Sequence, residues 1–142
     1  MIEQGLVMLV QGNLNVQAIA ETGGFLADLP KDFTLPSWTY LRIGTNSEDT
    51  CNSPGTLTQT RLQIDCYSAE GQGADVIRLG QAIDDVLNGF RGVLPDDDAT
   101  YVDSCFQSDL VDHPFDDASR ASYRRMLEYE IWFVQPIPLR FP

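Results

Sequence analysis

The spacing of apolar positions changes once between residues 60 and 92, and the change marks a strand followed by a helix. Leu62, Ile64 and Cys66 alternate with Arg61, Gln63, Asp65 and Tyr67. That period of two predicts a half-buried strand over 58–67. After Gly71, Gln72 and Gly73, the positions Val76, Leu79, Ile83, Val86, Leu87 and Phe90 recur every three or four residues. They form one stripe of a helix predicted over 74–88, with Gly89 as its C-terminal cap. The pattern places Leu62, Ile64, Ile83, Leu87 and Phe90 in the core. Gly80 falls mid-helix, where a missing side chain permits close approach to a sheet at some cost in helix propensity.

The remaining segments are read around this pair. Ile2, Leu6, Leu9 and Val10 have helical spacing, and Asn13 or Asn15 can cap a second short helix holding Val16, Ile19 and Ala20. Gly23 and Gly24 are read as its end. Residues 37–44, rich in aromatic and β-branched side chains after Pro36, predict a first strand. Residues 93–99 read as a turn. Residues 100–110 predict a third strand, with Val102 and Phe106 in untidy alternation, and 111–122 a polar connection. The fourth strand, 123–134, puts Leu127, Tyr129, Ile131 and Phe133 on one face and Met126, Glu128, Glu130 and Trp132 on the other. Pro136 and Pro138 forbid regular pairing beyond it. The expectation is one α+β domain over 1–135 with an extended tail over 136–142. Its fold is a small antiparallel sheet of about four strands packed against a main helix, with a short N-terminal helical segment.

Composition narrows the function. The 142 residues carry a formal net charge of −12. A phosphate-binding surface needs clustered Lys and Arg, so the charge argues against duplex DNA as a ligand. The longest apolar runs are too short to span a bilayer, so no membrane partner is expected. The start Met1-Ile2-Glu3-Gln4 lacks the basic opening of a signal peptide, which points to folding in the cytoplasm. Cys51, Cys66 and Cys105 lack metal-type spacing and read as free thiols.

No reactive constellation emerges, and no catalytic, cofactor-binding or metal site is assigned. His113 is the sole histidine, and its neighbours Asp112, Asp116 and Asp117 make a thin metal set. Asp96, Asp97 and Asp98 lack the alternating ligands and distal Glu of a calcium loop. Gly71-Gln72-Gly73 lacks the rest of a nucleotide motif. Asp84 and Asp85 read as part of a solvated helix face.

The stretch RLQIDCYSAEGQGADVIRLGQAIDDVLNGFRG resembles the tail completion, or tail terminator, proteins of long-tailed bacteriophages. The likeness rests on the order of several motifs. A proline-preceded strand (Pro36-Ser37-Trp38-Thr39-Tyr40) comes first. The run Ile64-Asp65-Cys66-Tyr67 follows, then a helix closing on Leu87-Asn88-Gly89-Phe90-Arg91-Gly92. A final strand opens after Tyr123-Arg124. The C-terminal tail and 111–122 depart from that pattern. The resemblance implies a virion protein without catalytic residues, assembled in the host cytoplasm. It implies a ring, commonly of six subunits, on the head-proximal end of the tail tube. Such a ring stops tube polymerisation, contacts the tail tube protein and presents a surface to the head connector or stopper protein. DNA passes through without specific binding, which suits the acidic charge. Two rival classes stay open: another neck component, such as a head-closure or adaptor protein, and a cytosolic binding or inhibitor module, or an enzyme of unseen mechanism.

Two surfaces are expected to make contacts. Met126 and Trp132, on the outward face of the last strand, are candidates for the subunit interface. A long polar loop over 45–57 is the candidate interaction element, with Thr45, Asn46, Asp49, Asn52 and Leu57 as its residues, mobile in the free subunit and ordered on assembly.

Overall fold

The structure is a computed structural model that describes residues 2–20, 24–26, 36–47, 57–68, 73–95, 100–114 and 123–134. In chain order these form α1 (Ile2–Gln11), α2 (Leu14–Ile19), β1 (Gly24–Leu26), β2 (Ser37–Ser47), β3 (Leu57–Ser68), α3 (Gly73–Leu87), β4 (Gly92–Val93), β5 (Tyr101–Pro114) and β6 (Tyr123–Val134). The class is α+β. The sheet is larger than about four strands: six are joined in the order β1-β2-β3-β6-β5-β4. The four long strands pair antiparallel, whereas β1 runs parallel to β2. The two extra strands span three and two residues, too short to leave a periodic signal. Gly24 is the first residue of β1 and not part of a helix end. A Cβ there would lie 2.5 Å from the Trp38 ring, so only glycine lets β1 approach β2 at that point.

Three strand boundaries also move. The ladder between β2 and β3 continues through Thr45↔Thr60, Asn46↔Gln59 and Ser47↔Thr58. Residues 45–47 and Leu57 therefore belong to strands, and the rest of the expected loop, 48–56, lies outside the described residues. Polar side chains did not announce this, because backbone pairing is indifferent to them when one face is wet. Likewise 111–114 pair with β6 and extend β5, with Pro114 tolerated as its last residue. The untidy alternation in β5 has a cause in two bulges, between Val102 and Ser104 and between Gln107 and Asp109. Each adds a residue and flips the faces that follow. Val102 is thereby buried and Phe106 is 43% exposed, although simple alternation puts both on one side.

The helices cover one face. Asn13 caps α2, its side-chain oxygen accepting from the Asn15 and Val16 amides at 3.0 and 3.2 Å. The buried side of α1 is Ile2, Leu6, Val7 and Val10. From α3, Leu79, Ile83 and Leu87 are fully buried beside Leu62, Ile64, Leu127, Tyr129 and Ile131 of β3 and β6. Phe90, past the helix end, is only partly buried and packs on the edge of this cluster. Gly80 faces Arg125 of β6: a Cβ would sit 2.7 Å from its Cδ. The missing side chain makes room for an arginine stem whose guanidinium then pairs with Asp112 at 2.7 and 3.0 Å. Gly89 has φ +83, the left-handed turn that ends a helix, and its amide donates to the Cys105 carbonyl at 2.7 Å.

This burial difference sets an order of stability. Ile83→Ala should lower unfolding free energy by about 2–5 kcal/mol. Phe90→Ala should cost clearly less, since part of its ring stays in water. Denaturant midpoints of the two variants check the ranking, and an equal or larger loss for Phe90→Ala would misplace the core.

A candidate assembly surface on the open sheet face

Because α1, α2 and α3 share one side of the sheet, no helix among the described residues covers the other side. Period-two alternation delivers Met126, Glu128, Glu130 and Trp132 of β6 to that side, all half-buried, while Leu127, Tyr129, Ile131 and Phe133 point to the helices. Register adds neighbours from both flanks. Phe106 of β5 lies opposite Glu130, one step from Trp132, and Val111 lies opposite Met126. Leu41 of β2, 43% exposed, shares a row with Gln63 and Glu128. The face thus mixes aromatic and aliphatic side chains with carboxylates, a composition suited to protein contact.

Its charges are partly tied down. Asp65 is buried, accepts from Gln63 Nε2 at 2.9 Å and lies 3.2 Å from Arg124 Nε. That last contact is an ion pair by distance only, for neither Arg124 Nε nor Asp65 Oδ1 has hydrogen-bond alignment. Arg61 reaches Glu128 at 3.5 Å from an exposed position and contributes little to stability. The interface candidates Met126 and Trp132 therefore sit on one continuous face, about six residues apart along β6. Of the loop candidates, Thr45 and Asn46 are in β2 and Leu57 opens β3, while Asp49 and Asn52 lie outside the described residues. Phe106 and Leu41 were missed from sequence. A bulge hid the first, and Leu41 looked like one of a run of strand residues.

The groups that could do chemistry are structural. Asp84 does not belong to a solvated face: its Oδ1 accepts the Tyr129 hydroxyl at 2.8 Å and Gln107 Nε2 at 3.1 Å, bridging α3 to β6 and β5. Burial, then this hydrogen bond, pushes the Tyr129 phenol up. Burial chiefly, with the nearby Asp65 charge, pushes the Cys66 thiol up. Burial chiefly, with Asp84 next, pushes the Cys105 thiol up to about 12. Burial thus holds both thiols in the protonated form at neutral pH. His113 stands in β5 at register with Arg124, and Cys51, 96–98 and 116–117 lie outside the described residues. Among the described residues no group of three His, Cys, Asp or Glu could hold a metal ion. Among the described residues no helix is long and apolar enough to cross a membrane.

The raised Cys105 value has a sign. The native state holds the proton more tightly than the unfolded chain, whose thiol titrates near 9.0. Its contribution is fully present below pH about 9 and is lost as pH rises through about 12. Cys66 and Tyr129 act in the same direction. Urea midpoints should therefore fall steeply above pH 9, and less steeply in Cys105→Ala relative to its own neutral-pH stability. A flat profile from pH 8 to 11 would contradict the burial of these groups.

Comparison with known proteins came back sparse in sequence and clear in shape. No family model matches the chain, and no curated protein matches it. Among solved structures, a chain from the virion of a native gene transfer agent (GTA) particle matches with a TM-score of 0.71. The match covers 94% of this chain and 94% of that one, at 13% sequence identity. At that identity the likeness is one of fold, and it takes in essentially the whole chain.

Proposed function

We propose that this protein is a structural virion component of the tail terminator type. It forms a ring at the head-proximal end of the tail tube, ends tube polymerisation and joins the tail to the head connector. The observation that carries the reading is the match of fold, along 94% of both chains, to a chain from a virion. The order of sequence motifs from Pro36 to Arg124 supports it independently. An assembly protein works through surfaces instead of reactive groups. This one combines an open sheet face bearing Trp132, Met126, Phe106 and Leu41 with buried, protonated thiols and an aspartate locked between elements. Its partners are further copies of itself, in a ring of six, the tail tube protein, and a connector or stopper protein. The net charge of −12 lets DNA pass without sticking.

Light scattering across a concentration series should show a step from monomer to one closed species, without open filaments. Trp132→Ala should raise the concentration of that step about tenfold or more, a loss of ~1.4 kcal/mol per contact, with a fall in the denaturation midpoint smaller than that of Ile83→Ala because its ring is only half-buried. A chain that stays monomeric and also fails to bind purified tail tubes would sink the reading.

Duplex DNA should not be retained at physiological salt. Among the described residues Arg61, Arg124 and Arg125 are each engaged with a carboxylate, and the sequence holds 9 Lys and Arg against 21 Asp and Glu. A gel shift at submicromolar protein would show the opposite.

A further inference from the structure

At one end of the sheet, on the side opposite α3, exposed aromatic and aliphatic residues gather in three rows. Val93 of β4 lies opposite Tyr101 of β5, which lies opposite Val134 of β6. Two residues back along β6 comes Trp132, and two further back Glu130, opposite Phe106. Residues directly opposite, or two apart on one strand, share a face. These six side chains therefore form one patch, about 14 Å along the strands and roughly 10 Å across them. Val93 is 60% exposed, Phe106 43% and Tyr101 36%, so solvent reaches the patch in the free chain. Trp132, Val134 and Glu130 are half-buried. The margin is polar: Arg91 Nε donates to the Tyr101 hydroxyl at 3.1 Å, and its guanidinium lies 4.0 Å from Asp103. Trp, Tyr and Arg are the residue types that carry most of the energy of protein contacts.

We propose that this patch receives the segment 135–142 of a neighbouring copy. That segment, QPIPLRFP, follows directly on β6 and lies outside the described residues. Two features of its sequence match the patch. Proline fixes its own φ and keeps the residue before it extended, so Pro136, Pro138 and Pro142 favour a polyproline helix. Three residues make one turn of that helix, which puts Pro136, Leu139 and Pro142 on one ridge and Ile137 with Arg140 on the next. Aromatic-lined surfaces bind such preformed, proline-rich segments at low cost in chain entropy. The charges also complement. Arg140 is the one charged side chain of the segment, in a chain of 9 Lys and Arg against 21 Asp and Glu. On the patch, Glu130 has Phe106 opposite and Trp132 two residues along. A guanidinium there stacks on an aromatic ring while it pairs with the carboxylate.

The polarity of β6 decides between a copy's own patch and its neighbour's. β6 runs from Glu130 toward Val134, so the segment leaves from the far margin of the patch. The prolines at 136 and 138 favour carrying it about 12 Å onward, at ~3.1 Å per residue. Seating Arg140 over Glu130 of the same copy needs a reversal inside this stretch, against the preference of both prolines. A neighbouring copy receives the segment without one. The contact is heterologous, an arm of one copy on the sheet of the next, and it rests on the assembly reading above for the presence of that neighbour.

A photo-crosslinker in the full-length chain tests the contact. Phe106→benzoylphenylalanine keeps an aromatic ring at an exposed position, and thermal melts check folding. Copies carrying it are mixed with heavy-isotope-labelled wild-type copies, where light scattering shows assembly or on purified tail tubes, and irradiated. Mass spectrometry should find links between the two isotopes, with the labelled residue inside 135–142. Arg140→Glu in the labelled copy should cut their yield about tenfold, and Glu130→Lys in the crosslinker copy should bring it back. In an assembled sample, links to another part of the labelled copy, links confined to one copy, or none at all would each overturn the docking while leaving the assembly reading intact. A yield indifferent to both charge changes would overturn it too, because Arg140 would then not be seated on Glu130. A chain that neither assembles nor binds tail tubes would remove both.

Discussion

Everything else in the molecule depends on how α3 seats on β3 and β6. Leu79, Ile83 and Leu87 meet Leu62, Ile64, Leu127, Tyr129 and Ile131 in a cluster without solvent contact. Two polar devices fix the seat. The Tyr129 hydroxyl donates to Asp84 from the middle of this apolar surface, and Arg125 passes its stem beneath Gly80 to reach Asp112. Apolar burial supplies the driving force, but it is not directional. The hydrogen bonds decide which turn of the helix sits over which strand, since a misplaced helix would leave a half-buried carboxylate and a buried phenol unpaired.

One face of the sheet is committed to helices, and among the described residues no helix covers the other. The aromatic and aliphatic residues there are flanked by carboxylates, and the same acidic balance governs the whole chain. High net charge of one sign keeps free subunits apart and soluble.

The chemistry of the core argues the same way. Thiols and a phenol pushed toward their neutral forms, and a carboxylate held between two donors, are features of a rigid scaffold. They cost reactivity and add specificity of packing. The match to a chain of a gene transfer agent virion at 13% identity fits a fold held by such packing, where many side-chain sets can fill the same space.

The sequence by itself determined the elements whose apolar period is regular. The strand through Leu62 and Ile64, the helix through Ile83 and Leu87, and the last strand with its two faces all follow from spacing, because burying one face of a regular element demands that spacing. It also determined the acidic charge and the lack of any familiar reactive motif. What only the tertiary structure decided were features set by partners distant in the chain. Residues 45–47, Leu57 and 111–114 became strand because β3 and β6 offered pairing to their backbones, which side-chain polarity does not report. The bulge between Val102 and Ser104 sent Phe106 to the open face while Val102 went to the core, an inversion no alternation rule anticipates. Asp84 looked solvated on the helix wheel, yet a tyrosine 45 residues away reaches it. Gly24 looked like a helix end, yet the Trp38 ring claims the space of its missing side chain.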